Sequence, residues 1–162
     1  MKKMKVILNV VLFFLLLPVI SPNIVNAQDS KETNIQNLVE SQQFVFKAET
    51  VSPLRGGTRH LTSDYELKVS KDSLIADLPY FGRAYSAPLD PSKGGIQFTS
   101  VNFQYKPEKR KKGGWNVSIK PKDASGVQQI SFIISSNGSA TLQVISANRD
   151  AISFDGHIVP PK

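Results

Sequence analysis

Four side chains in one loop make the strongest case for chemistry. Tyr80, Phe81, Arg83 and Tyr85 lie in the run Leu78-Pro79-Tyr80-Phe81-Gly82-Arg83-Ala84-Tyr85-Ser86-Ala87-Pro88. Three aromatic rings offer flat contact area, and the guanidinium offers a planar fork that pairs with anions. Read as a site, the loop is a ligand-binding lip. Read as packing, it is a plug over an open barrel end, with Phe81 in the core and Gly82 at positive φ. Aromatic clusters are more often packing than site, so the plug is the preferred reading. A second charged feature is Lys106 to Lys112, with five cations and one Glu. It reads either as an electrostatic handle for anionic glycan or lipid or as a solvated hairpin tip, and the tip is preferred. No aromatic lies inside the run, which argues against nucleic acid.

Catalysis finds little to use. The chain has no Cys, and His60 and His157 are its two histidines. Neither Gly-x-Ser-x-Gly nor His-Glu-x-x-His occurs, and no glycine-rich loop precedes a helix to cradle phosphate. Asp64, four residues from His60, suggests a dyad, but loop residues at that spacing are usually just solvated. Asp155-Gly156-His157 reads as a strand with a glycine bend. No catalytic residue, metal or cofactor is expected, and the chain is not expected to be an enzyme.

The elements around these residues begin with a targeting segment. Lys2, Lys3 and Lys5 precede an apolar run from Val6 to Leu17, broken only by Asn9. Pro18 and Pro22 follow, then Val25-Asn26-Ala27. This is the pattern of a secretory signal peptide over residues 1–27, with cleavage expected between Ala27 and Gln28. A spanning helix needs roughly 20 apolar residues, and this run is shorter. A lipid anchor needs a Cys that the chain lacks. The expectation is a periplasmic or secreted protein, not a lipoprotein, with no stable membrane insertion after cleavage. Losing the three lysines takes the formal charge from +7 to +4, too mild an excess to argue for nucleic acid. Without disulfides, stability must come from a packed core.

Residues 28–43 are expected to form a helix packed on the domain. Ile35, Leu38, Val39 and Gln42 recur at helical spacing from Asp29 to Gln42, with Thr33, Asp29 or Ser30 as cap. Residues 44–162 are expected to form a single all-β domain. Phe44, Phe46 and Ala48 alternate with Val45, Lys47 and Glu49, as Tyr65, Leu67 and Val69 do with Glu66, Lys68 and Ser70. The same holds for Val101, Phe103 and Tyr105, and for Trp115, Val117 and Ile119. Ile130 to Ile134, Ala140 to Val144 and Ile152 to Phe154 continue the period of two. Leu74 to Leu78 and Ile96 to Thr99 are two more strands. With no helix between strands, parallel crossovers are excluded. The fold class is all-β, an antiparallel meander of about nine strands forming a barrel or barrel-like sandwich.

Two hairpins can be set in register. A three-residue loop from Ser136 to Gly138 pairs Ile134 with Ala140, Phe132 with Leu142 and Ile130 with Val144, with Gly138 left-handed. Pairing Tyr105 with Trp115 puts Phe103 opposite Val117 and Val101 opposite Ile119, with a tip from Lys106 to Gly114. Buried positions change parity between Phe98 and Val101, so the chain must bend or bulge near Ser100. Ser52 to Ser63 and Pro79 to Gly95 lack periodicity and read as the long connections.

The helix leading into Phe44-Val45-Phe46-Lys47-Ala48, the Leu78 to Tyr85 loop, Gly94-Gly95-Ile96-Gln97-Phe98 and Ile152-Ser153-Phe154-Asp155-Gly156 resemble a secreted Bacteroidetes family, domain of unknown function 4251. The resemblance covers nearly the whole chain after the signal segment. It implies an exported single domain without assigned activity, and brings no catalytic residue with it. In that setting Asp72-Ser73-Leu74 resembles an O-glycosylation pattern of exported proteins, with Ser73 as acceptor. The sequons at Asn116 and Asn137 carry no meaning in a bacterial envelope.

Two non-enzymatic readings follow. The first is an envelope module that binds a small or lipid-like molecule between the barrel wall and the Tyr80 to Tyr85 lip. The second is a structural or interaction module with a barrel filled by side chains, whose partner is an envelope protein or polysaccharide. An apolar cavity opening beside Phe81 would mark the first. Phe44, Phe46, Phe103, Trp115 and Phe132 meeting in a filled core would mark the second.

Overall fold

The computed structural model describes residues 27–85, 94–124 and 126–161. Residues 1–26 of the expected signal segment, and Ser86 to Pro88 of the aromatic loop, lie outside the described residues. Helix α1 spans Ala27–Glu40, so the expected cleavage pair Ala27–Gln28 sits at its first turn. Asp29, Ser30 and Thr33, expected as caps, are therefore inside the helix. The helix also ends before Gln42. Gln43 N–H donates to the Leu38 carbonyl at 3.1 Å and Gln42 N–H to Val39 at 3.3 Å, with Gln42 at φ 55°. This is a left-handed C-terminal cap filled by a residue other than glycine. Among the described residues no helix is long and apolar enough to cross a membrane.

The strands are β1 (Phe44–Pro53), β2 (Arg59–Val69), β3 (Leu74–Leu78), β4 (Ile96–Ser100), β5 (Phe103–Lys109), β6 (Trp115–Pro121), β7 (Val127–Ile134), β8 (Ser139–Ser146) and β9 (Ile152–Val159). They form one sheet in the order β4-β3-β2-β1-β9-β8-β7-β6-β5, with antiparallel neighbours. Nine alternating strands give the two edges, β4 and β5, the same direction, so they cannot pair as a hairpin. Instead the chain runs straight from one edge into the other through Val101 and Asn102. Three Cα steps of about 3.8 Å reach at most about 11 Å. The edges therefore meet there, and the sheet is a nearly closed barrel.

That seam is where the sequence demands a change of phase. Ser100 is fully buried, and the inward side chains change from even positions to Phe103 and Tyr105. Asp123, in the β6–β7 turn, holds the bend. Its carboxylate accepts from the Ser100 hydroxyl, from Val101 N–H at 2.9 Å and from Asn102 N–H at 3.1 Å. Lys122 N–H donates to the Asn102 carbonyl at 2.8 Å. The hydrogen bond from Ser100, with those from the backbone, holds the Asp123 carboxyl below its usual range.

Side chains fill the barrel. Phe44, Phe46, Trp115, Phe132 and Phe154 are buried, and Phe103 packs against them partly buried. Phe132 stands edge-on to Phe44 and Phe46, with centroids 5.7 and 5.5 Å apart. Helix α1 covers one end. Its Ile35 and Val39 join the core, and the Tyr105 hydroxyl adds a second hydrogen bond to the Val39 carbonyl at 2.8 Å.

The β7–β8 hairpin has the expected register, Ile134 opposite Ala140 and Phe132 opposite Leu142, with Gly138 at φ 88°. The β5–β6 hairpin does not. Tyr105 faces Ile119 and Phe103 faces Pro121, so Trp115 meets Lys109 instead of Tyr105. Val101 is 70% exposed in the seam bend rather than paired with Ile119. Gly113 and Gly114, at φ 86° and 79°, close a tight turn in which Arg110 N–H donates to Gly114 at 2.9 Å. The tip is thus Arg110 to Gly114, and Lys106 to Lys109 belong to the strand. A slip by an even number leaves every side chain on its face, so alternation alone could not exclude the expected register.

The expected connection Ser52 to Ser63 is also mostly strand. A bulge at Glu49, against both β2 and β9, shifts the buried face of β1 from even residues to Val51 and Pro53. The opening half of β2 is exposed on both faces, which removes any period. Only residues 54–58 form the turn.

Candidate functional site

The aromatic loop leaves β3 at the barrel end opposite α1. Pro79 is buried and Tyr80 folds back over the chain. The Tyr80 hydroxyl lies 2.8 Å from the Arg83 carbonyl and 3.1 Å from that of Asp150, and shares its proton between them. Gly82 passes directly beneath that phenol. A Cβ there would lie 2.5 Å from the Tyr80 oxygen, so any other residue would push the phenol from this position. It does not occupy a positive φ, contrary to the expectation for a plug.

Residues 83–85 run against the β8–β9 loop as a short ladder. Asp150 N–H donates to the Arg83 carbonyl at 3.0 Å, and Tyr85 N–H to Asn148 at 2.9 Å. The Tyr85 hydroxyl donates to the carboxylate of Asp150, which is only 8% exposed. Both phenols are held above their ordinary range. For Tyr80 the main cause is burial, followed by the charge of Asp150. For Tyr85 it is the hydrogen bond to Asp150, opposed by the positive charges of Arg83 and Arg55. Both are proton donors at neutral pH.

Two arginines from distant positions complete this end. Arg149 lies over the Tyr80 ring, 5.1 Å from its centroid, while its Nη1 donates to the carbonyls of Gly94 at 3.0 Å and Gly95 at 2.8 Å. Arg59, at the start of β2, lies 5.3 Å over the Phe81 ring. Phe81 is 43% exposed and Tyr85 65% exposed. The plug expectation is corrected here: Tyr80 packs, while Phe81 stays out of the core. Four of the chain's five arginines gather at this end, from Arg55, Arg59, Arg83 and Arg149. Sequence reasoning found Arg83 and missed the others, which lie in segments without pattern; an isolated Arg in a turn carries no signal of its neighbours.

The remaining candidates are dispersed. His60 and Asp64 lie on β2, where residues four apart are separated by roughly 13 Å, so they form no dyad. His157 Nδ1 lies 2.7 Å from Glu49 Oε1 on the outer wall. Among the described residues no group of three or more His, Asp or Glu could hold a metal ion. In the charged run, Lys106 pairs with Glu108 at 2.7 Å and Lys109 lies 5.9 Å over Trp115. Ser73 closes the β2–β3 turn: its Oγ is 2.9 Å from Ser70 Oγ, and Ser70 Oγ donates to its carbonyl at 3.0 Å. Larger depressions lie on the outer wall. One of about 490 Å³ is lined by Gln104, Lys106, Asn116 and Lys120, and one of about 650 Å³ by Val45, Glu66, Lys68 and Val159.

The fold and this end define a small antiparallel barrel with a side-chain-filled interior, capped by a helix at one end and by a clamped aromatic–arginine loop at the other. The chain belongs to the family described as domain of unknown function DUF4251, whose model matches residues 26–158. A solved structure of a DUF4251 family protein from Bacteroides eggerthii is similar in fold, with a TM-score of 0.61 and 21% identity, over 82% of this chain and 91% of that one. No curated protein matches the chain.

Proposed function

We propose that this protein is an exported, non-enzymatic module of the cell envelope that binds another envelope component through its surface. One observation carries the reading: the space a small ligand would take is occupied by the protein's own rings. A drug-sized ligand needs roughly 300 Å³ of enclosed, largely apolar space. Here Phe132 bridges Phe44 and Phe46 across the interior, and the fully buried Leu67, Ile119 and Leu142 join the same cluster. The sequence supports export through the basic and apolar segment before Gln28. The lip Tyr80, Phe81, Arg83 and Tyr85 then serves as outer surface and not as the mouth of a cavity.

Native mass spectrometry of protein purified from its own envelope fraction tests this. The expected species is the empty chain beginning at Gln28. A lipid or other small molecule retained at one equivalent through purification would overturn the reading in favour of a carrier.

A further inference from the structure

The inference rests on the interaction-module reading and names its surface and the chemistry of its partner. We propose that the barrel end formed by residues 54–59, 80–85 and 147–150 docks an acidic segment of a partner protein. Arg55, Arg59 and Arg83 pair with its carboxylates, and Phe81 and Tyr85 supply the flat contact. All three arginines are exposed, and none is in an ion pair with a described residue. The one carboxylate in these three segments, Asp150, is buried and engaged by Tyr85. Among the described residues of these segments, the three guanidinium groups therefore have no carboxylate partner. This end also exposes Leu54 at 65%, next to Arg55 in the β1–β2 turn.

Its composition selects the partner. The three segments hold four arginines and no lysine. Arg with Tyr and Phe is the signature of a protein-interface centre, from which Lys is depleted. An anionic membrane attracts Lys and Arg alike and gives no reason for that selection. The surface is also held in advance of binding. Arg59 is stacked on Phe81, and the Tyr85 loop is tied to residues 148–150 by backbone and side-chain bonds. Less ordering is then lost on docking.

Binding of an oligoglutamate peptide to the full chain, read by fluorescence anisotropy, tests the proposal. The triple variant Arg55→Gln/Arg59→Gln/Arg83→Gln is expected to bind about tenfold more weakly or worse. The variant Lys111→Gln/Lys112→Gln, at the other end, is expected to stay within about twofold. If the triple variant fails its circular-dichroism melt, Arg55→Gln alone, in an exposed turn, should weaken binding about two- to fivefold. Equal weakening by the Lys111/Lys112 variant would overturn the proposal, as would tighter binding to phosphatidylglycerol vesicles or polygalacturonate than to the peptide. Native mass measured on the same sample separates the two failures. A small molecule held in the barrel defeats the interaction-module reading whatever the peptide does. An empty barrel with no loss in the arginine variants defeats only this surface.

Discussion

The barrel carries positive charge at both ends, built in opposite ways. At the α1 end, Lys109, Arg110, Lys111 and Lys112 follow one another in the chain and fan out from a glycine turn. Lys111 and Lys112 stand in solvent on flexible stems, while Arg110 is half-buried and Lys109 lies over Trp115. At the other end, Arg55, Arg83 and Arg149 come from three separate connections and Arg59 from the start of β2. Two of them lie on aromatic rings, and Arg149 is also hydrogen-bonded to two carbonyls. Charge density along a chain and a shaped cationic surface are thus different things. The first is conspicuous in the sequence and, at Lys111 and Lys112, keeps its conformational freedom. The second is nearly invisible there, yet at Arg59 and Arg149 it has already lost part of the entropy that recognition would otherwise cost.

One barrel core joins the two ends, and the largest expected effect tests whether it acts as a single rigid scaffold. Phe132→Ala removes the ring packed against Phe44 and Phe46 and should cost about 3–5 kcal/mol in urea unfolding. Both ends should melt in a single transition. Two separate transitions would break the comparison at its root.

The seam should make the scaffold acid-sensitive. Asp123 has a depressed folded-state pKa, so its contribution is present above the unfolded carboxylate range and is lost as pH falls through the folded value. Glu66, bonded to Lys47 and Lys68, acts in the same direction. Urea midpoints should fall on acidification below about pH 4. Asp123→Asn should flatten that part of the profile; an unchanged profile would remove Asp123 from the closure.

The clamp at the arginine end should matter locally. Tyr80→Phe removes the hydroxyl shared by the Arg83 and Asp150 carbonyls and should cost about 1 kcal/mol. Hydrogen exchange should rise at the Tyr85 and Asp150 amides and not at the far hairpin. The smallest effect is expected at that hairpin. Lys111→Ala/Lys112→Ala should stay within about 0.5 kcal/mol, and a larger loss would mean that the tip is structured in a way its exposure hides.

Where the sequence was legible, a local constraint with one solution was present. Gly138 fixes the β7–β8 loop because the turn needs a left-handed residue there, and the alternative register mixes faces. The β5–β6 hairpin had no such constraint in its pattern, because a shift of four residues preserves every face. The Gly113–Gly114 pair held the answer, but only as the site of a turn whose length alternation does not report. The aromatic loop was legible as a cluster. Its division of labour was not: Tyr80 packs and Phe81 does not, because Gly82 lets the Tyr80 phenol fold back onto the Arg83 and Asp150 carbonyls.

The sequence by itself determined the all-β class, the helix stripe through Ile35 and Val39, the β7–β8 register and the need for a bend near Ser100. These follow from periodicity and φ restrictions that act over a few residues. Only the tertiary structure decided that β4 and β5 are opposite edges joined end to end, that the rings of Phe44, Phe46 and Phe132 leave the interior full, and that four arginines share one end. Those outcomes depend on strand order and on which side chains exclude one another inside a closed sheet, and no local preference encodes either.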